Sequence, residues 1–274
     1  MKNEITLRTN IFDLDWNRHV TSRTYERFSQ EGRSQILDSL GFPIRKCMEE
    51  GILLIPEFTQ VRFLSQQFSD ANLRIETQLV AYRENQLEWN HKIYGEDNSL
   101  ACELRLISRL EKASGETFVL TSSSDRFEIP TIHAFKGTCK QLIHDYTFLY
   151  SDLNCFWRYS PDVVWKAFEE GRWLFFSKVA DTSKIAKIDT TSFFMGGKLR
   201  FIRMPNGGEK VKIVTWIESV EKIRFYLRQD IISETGEIIA SMRDEQLFVS
   251  LSTSRPKKAP LEFVENIKDF IENF

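Results

Sequence analysis

The eight residues DLDWNRHV, at positions 13–20, bring two carboxylates, an amide and an imidazole into one short stretch. Asp15, Asn17 and His19 lie at alternate positions, so an extended segment would point all three side chains to one side. A carboxylate can act as a nucleophile or general base, and histidine, which titrates at about pH 6.5, exchanges protons near neutral pH. Because Asp and Asn are also common turn and cap residues, the stretch is either a polar turn or a candidate catalytic site.

A helix is predicted directly after this motif. Residues 21–40 carry apolar side chains at helical spacing, and Gly41 ends the pattern. Gly32 lies inside the helix, where glycine costs about 1 kcal/mol relative to alanine. We therefore expect another element to pack closely against Gly32.

Strands are predicted after the helix. Apolar and polar side chains alternate in six segments, three in each half of the chain, which is typical of strands with one buried face. The segments lie at 73–79, 87–93, 102–106, 211–217, 223–227 and 247–251. One helix followed by hairpin-linked strands is an α+β layout, with an antiparallel sheet wrapped on a helix.

The chain repeats itself. Residues 13–33 and 152–172 both open with Asp-Leu and close with Glu-Gly-Arg, at an offset of 139 residues. VRFL at 61–64 pairs with LRFI at 199–202 at an offset of 138, and the mid-helix glycine recurs as Gly171. Similarity at a near-constant spacing indicates a tandem duplication.

The second copy does not keep the three residues of the motif that could do chemistry. Its corresponding residues are Asn154, Phe156 and Arg158. The opening Asp-Leu pair survives in both copies, which indicates a structural role for Asp13 and Leu14. We therefore expect the chemistry only in the first copy.

Other polar residues have a simpler interpretation. Glu31 and Arg33 recur in both copies, so we expect a structural ion pair or a cap. Trp89 and His91 alternate along a predicted strand and belong to a sheet face. Cys102 is expected to fill the core rather than act as a nucleophile.

Composition narrows the class of protein. The 274 residues are 42% hydrophobic and 28% charged, with a net charge of −2 and 22 phenylalanines. No basic stripe is present, so nucleic acid is not an expected partner. The four cysteines form no CxxC pair, which argues against a zinc site or disulfides and for a reducing compartment. No signal-like segment or membrane-spanning run is present, so we expect a cytoplasmic protein.

The motif, the helix and the strands after it resemble the hotdog-fold thioesterases. The likeness is to acyl-acyl-carrier-protein thioesterases, with motif DxDxNxHVNN, and to 4-hydroxybenzoyl-CoA-thioesterase-like acyl-CoA thioesterases, with DxDxxGHVNN. Asp15, Asn17 and His19 stand at the matching positions, and Val20 follows them. A Thr-Ser pair replaces the family's Asn-Asn pair.

The resemblance implies two tandem hotdog domains paired as a pseudo-dimer. Each domain would be a long helix wrapped by an antiparallel sheet. The expected divisions are hotdog domain 1 with the catalytic motif at 1–114, a connector at 115–142, hotdog domain 2 with the degenerate motif at 143–256, and a C-terminal amphipathic helix at 257–274. The smallest active unit would be one chain, and the protein would be a monomeric pseudo-dimer or a homodimer.

The resemblance also implies hydrolysis of a fatty acyl thioester carried on coenzyme A or acyl carrier protein. Asp15 would serve as nucleophile or general base, Asn17 would orient water or the carbonyl, and His19 would exchange the proton. A thiolate is a good leaving group, so no metal or other cofactor is needed. The Phe-rich interior would hold the acyl chain.

Four further residues are candidates for substrate binding. The start of the helix, near Val20 and Thr21, would offer backbone N–H groups to the developing oxyanion. The carrier-protein thioesterases bring a glutamate from the next strand, where this chain has Leu64, with Ser65 and Gln66 beside it.

Two other functions stay open on the same fold. One is a hydratase or dehydratase, which needs a catalytic histidine with an acidic partner. The other is a non-catalytic acyl-binding module in which the motif is only a turn.

Overall fold

The computed structural model describes residues 1–15, 17–114 and 128–272. The chain divides into two compact units. Unit 1 comprises Met1–Pro130 and Ser151–Trp165, and unit 2 comprises Thr131–Tyr150 and Lys166–Phe274. The domain boundaries proposed from the sequence stay a prediction, and residues 115–127 of the connector lie outside the described residues.

Unit 1 contains a long helix and an antiparallel sheet. The strands are β1 (Lys2–Arg8), β2 (Ile52–Phe63), β3 (Asn72–Arg83), β4 (Gln86–Tyr94) and β5 (Leu100–Lys112), and the helices are α1 (Ser22–Ser39) and α2 (Ile44–Glu50). The strand order is β1-β3-β4-β5-β2, and each neighbouring pair is antiparallel. Helix α1 lies against β1, β3 and β4.

Unit 2 repeats this plan. Its strands are β6 (Leu142–Thr147), β7 (Thr190–Phe201), β8 (Lys210–Val220), β9 (Arg224–Ser233) and β10 (Ile238–Ser250), in the order β7-β10-β9-β8-β6. The helices that follow β6 are α3 (Pro161–Phe175), whose residues up to Trp165 belong to unit 1, α4 (Thr182–Ala186) and α5 (Leu261–Ile267). The α+β layout is therefore confirmed in both halves of the sequence.

The predicted helices differ from the observed ones mainly in length. Helix α1 matches the prediction, with Thr21 as its N-cap. Helix α2 was not predicted, because seven residues are too few to show helical periodicity. The C-terminal helix is shorter than predicted: α5 buries Phe263 and Ile267 in the core of unit 2. Phe274 lies outside the described residues.

Both mid-helix glycines allow close packing, as predicted. A methyl group at Gly32 would overlap the hydroxyl oxygen of Thr77 on β3. A methyl group at Gly171 would lie 2.6 Å from Gln229 Nε2 and 2.6 Å from Ile213 Cγ2. Glycine is therefore required where each helix approaches its sheet.

A buried polar network joins α1 to the sheet of unit 1. Arg33 Nη2 donates to Glu26 Oε1 at 2.5 Å, and Arg33 Nη1 lies 3.2 Å from His91 Nε2. His91 Nδ1 lies 3.0 Å from Thr77 Oγ1. Because a guanidinium only donates, His91 is neutral and accepts from Arg33 through Nε2. Arg33 has the predicted structural role, but its ion pair is with Glu26, and Glu31 is exposed, so a pair between Glu31 and Arg33 is wrong.

Burial shifts the pKa values of two side chains in this network. Burial raises the pKa of Glu26, although the Arg33 cation acts in the opposite direction. Burial, followed by the Arg33 cation, lowers the pKa of His91 well below its ordinary value. The histidine therefore belongs to a buried sheet face, as predicted, and stays neutral in the folded state.

His91 makes the stability of the protein depend on pH. Below about pH 6.5 the unfolded chain binds a proton at this histidine that the folded chain does not. Stability from His91 is therefore present above that pH and lost as the pH falls, at up to about 1.4 kcal/mol per pH unit. In unit 2, Gln229 occupies the corresponding place, and its Nε2 donates to Thr215 Oγ1 at 3.3 Å.

We expect His91→Gln to lose less stability than the wild type between about pH 7 and about pH 5, since glutamine does not titrate. Urea unfolding at several pH values gives the slope of the free energy of unfolding against pH for the wild type and for His91→Gln. Equal slopes would show that His91 does not stay neutral in the folded protein.

Candidate active site

The motif forms a tight loop rather than an extended segment. We call residues 14–15 and 17–20 the motif loop. Leu14 and Val20 pair in an antiparallel bridge, and the Asp15 N–H donates to the His19 carbonyl at 2.8 Å. The Arg18 N–H donates to the Asp15 carbonyl at 2.9 Å, and Arg18 has φ +67°. The expected extended segment with three side chains on one side is therefore wrong, because the chain turns back on itself within the motif.

Asp15 and His19 meet through the backbone of this loop. Asp15 Oδ1 accepts the His19 N–H at 3.0 Å. Both side chains are partly buried, whereas Asn17 is exposed. The imidazole of His19 contacts the ring of Phe68 edge to face, with the centroids 5.5 Å apart and the planes at 71°. The loop therefore brings a carboxylate and an imidazole to the same turn, with the amide at its exposed tip.

The second copy adopts the same loop without the carboxylate. Leu153 and Tyr159 form the corresponding bridge, and the Asn154 N–H donates to the Arg158 carbonyl at 2.8 Å. Asn154 Oδ1 accepts the Arg158 N–H at 3.3 Å, and Trp157 has φ +56°. An amide oxygen thus holds the turn as a carboxylate oxygen does, so the turn does not need the negative charge of Asp15.

Asp13 anchors the motif loop to helix α1. Its side chain is fully buried, pairs with Arg27 and accepts the Asn10 N–H at 2.9 Å. Its carbonyl accepts the Thr21 N–H at 2.9 Å and the Thr24 hydroxyl at 3.2 Å. These contacts confirm the structural role predicted for Asp13.

The backbone N–H groups of Val20 and Thr21 are already used. Val20 donates to the Gln67 carbonyl at 2.9 Å, and Thr21 donates to the Asp13 carbonyl at 2.9 Å. The Thr21 hydroxyl caps α1 by accepting the Thr24 N–H at 3.3 Å. The predicted oxyanion donors at Val20 and Thr21 are therefore wrong, because both N–H groups bond within the protein.

The loop between β2 and β3, residues 64–71, lies against the motif loop. Two of its residues were predicted to bind substrate: Ser65 is partly buried, and Gln66 is exposed. Gln67 Nε2 donates to Ser65 Oγ at 3.1 Å, and the Gln67 carbonyl accepts from Val20. The sequence reasoning missed Gln67 and Phe68, although they directly follow the two residues that it named.

A small cavity lies beside the start of α1. Its volume is about 170 Å³, and its lining includes Phe12, Arg23, Thr24, Arg27 and Asp162. Sites for ligands of drug size have volumes of about 300–1,000 Å³. The cavity is therefore too small to be the whole binding site of a fatty acyl chain.

The described residues offer little for other classes of site. They include no group of three or more His, Cys, Asp or Glu that could hold a metal ion. No helix among them is long and apolar enough to cross a membrane. Cys102 is fully buried and burial raises the pKa of its thiol, as expected for a core residue.

Comparison of sequences finds no relatives. No protein-family model matches the chain, and no curated protein matches it. The likenesses found for this chain are therefore likenesses of structure.

The fold is that of solved structures named as thioesterases. A Lactobacillus plantarum protein, named as a proposed oleoyl thioesterase, matches with TM-score 0.72 and 12% identity over 90% of this chain and 96% of its own. An acyl-ACP thioesterase from Bacteroides thetaiotaomicron matches with TM-score 0.66 and 11% identity, over 90% and 97%. The 12:0-ACP thioesterase from Umbellularia californica matches with TM-score 0.67 and 12% identity, over 93% and 94%.

These matches cover nearly the whole chain. The predicted fold class of two tandem hotdog domains is therefore confirmed, as is the resemblance in fold to acyl-acyl-carrier-protein thioesterases. At 11–12% identity the likeness shows the fold, and function has to be argued from the site.

Proposed function

We propose that the protein hydrolyses a fatty acyl thioester to a free acid and a thiol. One observation carries the proposal: in a fold shared with structures named as thioesterases, only the first motif loop holds a carboxylate and an imidazole in one turn. The second loop has the same conformation and holds Asn154 and Arg158 instead. Because the second turn forms without a carboxylate, the turn alone does not account for Asp15, and we assign this carboxylate to catalysis.

The motif loop supplies a base or nucleophile and a proton donor for this reaction. The Asp15 carboxylate acts as general base on water, or attacks the thioester carbonyl carbon itself as nucleophile. The carbon–sulfur bond then breaks, and the thiolate takes a proton from protonated His19, which the proton released by the consumed water restores. Where Asp15 is the nucleophile, water afterwards hydrolyses the acyl–aspartate anhydride, which releases the free acid and regenerates the carboxylate. Exposed at the tip of the loop, Asn17 orients the water or the carbonyl.

The substrate carrier is coenzyme A or acyl carrier protein. Support comes from the names of the neighbours, two of which are called acyl-carrier-protein thioesterases and one an oleoyl thioesterase. We propose that Ser65 and Gln66, in the loop that lies against the motif loop, contact the substrate, whereas Val20 and Thr21 are buried. We place the protein in the cytoplasm, acting as a monomer with two tandem domains or as a homodimer.

A panel of acyl-CoA and acyl-carrier-protein thioesters tests the proposal. Release of free thiol with equimolar acid is the expected result. Hydration of an enoyl thioester without thiol release would identify a hydratase instead. Tight binding of acyl-CoA without turnover of any thioester would identify a binding module.

A further inference from the structure

The motif loop contacts the β2–β3 loop through a backbone hydrogen bond and a ring contact. One is the hydrogen bond from the Val20 N–H to the Gln67 carbonyl, at 2.9 Å. The other is the edge-to-face contact between the rings of His19 and Phe68, with the centroids 5.5 Å apart. Aromatic pairs favour this arrangement, in which the positive edge of one ring meets the negative face of the other.

The backbone of Phe68 is fixed by Thr9, at the end of β1. The Thr9 hydroxyl donates to the Phe68 carbonyl at 2.7 Å and accepts the Ala71 N–H at 3.0 Å. Thr9 is almost fully buried, whereas the Phe68 residue is 53% exposed. Thr9 therefore fixes the backbone of Phe68, while the ring lies half exposed beside His19.

The duplicated loop in unit 2 gives an internal comparison. Residues 202–209 stand 138 positions after residues 64–71, and both loops begin alike. The Leu64 N–H donates to the Ala101 carbonyl at 2.8 Å, and the Ile202 N–H donates to the Ile239 carbonyl at 2.8 Å.

The position of Phe68 corresponds to Asn206 in the second loop. The position of His19 corresponds to Arg158 in the second motif. The two rings are thus present together in the first copy, and both are replaced in the second.

We infer that Phe68 is a positioning residue that sets the orientation of the His19 imidazole. The effect of Phe68 on turnover rests on the function proposed above, whereas its effect on the orientation of the His19 imidazole does not. The ring of Phe68 limits the rotamers open to a partly exposed imidazole, so that His19 keeps one orientation toward the thioester.

Nuclear magnetic resonance and kinetics test this role on three variants. Phe68→Leu keeps apolar volume without a ring, and Phe68→Tyr keeps the ring. Ile202→Ala, at a similarly exposed apolar residue in the loop of unit 2, is the control. The imidazole C–H resonances of His19 are assigned by their loss in His19→Gln.

We expect Phe68→Leu to shift the His19 resonances, because the ring current of Phe68 is gone. It should also lower kcat/KM by about 2- to 10-fold, mainly in kcat, and alter the pH profile. Phe68→Tyr should preserve the resonances and the profile, and Ile202→Ala should leave both unchanged.

Unchanged His19 resonances in Phe68→Leu would overturn the inference, and so would equal shifts in Phe68→Leu and Ile202→Ala. The resonance measurement needs no substrate. A protein without thioesterase activity that still shows the shift would therefore contradict the proposed function and leave the positioning of His19 standing.

Discussion

Arg33→Ala is expected to lower the free energy of unfolding by about 3–5 kcal/mol, because it leaves the carboxylate of Glu26 buried without a counter-charge. The side chains of Arg33 and Glu26 are 2% and 0% exposed, and the ion pair measures 2.5 Å. Arg33 also donates to His91, so its loss removes a second buried hydrogen bond. Urea unfolding at neutral pH measures the loss.

A double variant shows how much of the loss comes from leaving one buried charge without its partner. Replacing both partners with apolar residues of similar volume, in Glu26→Leu with Arg33→Met, leaves no unpaired charge in the helix–sheet layer. We expect it to lose less stability than Arg33→Ala. A loss below about 1 kcal/mol in Arg33→Ala would mean that water reaches Glu26 in the folded protein.

Asp15→Asn is expected to lower kcat by about 100- to 10,000-fold, the usual contribution of a positioned general base. The free energy of unfolding should hardly change, because Asn154 supports the same turn in the second copy. The variant therefore removes the charge and keeps the loop. Steady-state thiol release and urea unfolding, measured on one preparation, report the two effects separately.

The reverse variant is the matched control. Asn154→Asp adds a carboxylate to the second loop, where Arg158 replaces the histidine, so it should neither raise kcat nor change the stability much. If Asp15→Asn kept full activity, the carboxylate would be a turn residue only. The chemistry would then have to be sought elsewhere in unit 1.

Local patterns explain why much of the fold was predictable. Alternation of apolar residues marks strands because one sheet face is buried, and β3, β4 and β5 show it clearly. The costly glycines at 32 and 171 pointed to close packing, and each helix does meet a sheet side chain there. Because the chain is duplicated, a helix or strand predicted in one half could also be predicted in the other.

The contacts that complete the site could not be predicted from the sequence, because they depend on backbone conformation and on residues far apart in the chain. Alternate spacing predicts a common side only for an extended chain, whereas the left-handed conformation of Arg18 folds the motif back. Arg33 pairs with Glu26 because residues seven apart share a helix face, which residues two apart, such as Glu31 and Arg33, do not. The contact of Phe68 with His19 joins two loops, and neither loop has a periodic pattern.

The most direct test of the proposed function is the release of free thiol by the purified protein. Oleoyl and dodecanoyl groups should each be offered on coenzyme A and on acyl carrier protein, with the protein-free reaction as reference. We predict thiol release well above that reference on at least one carrier, with one free acid formed for each thiol. Thiol release at the protein-free rate for all four substrates would contradict the assignment as a fatty acyl thioesterase.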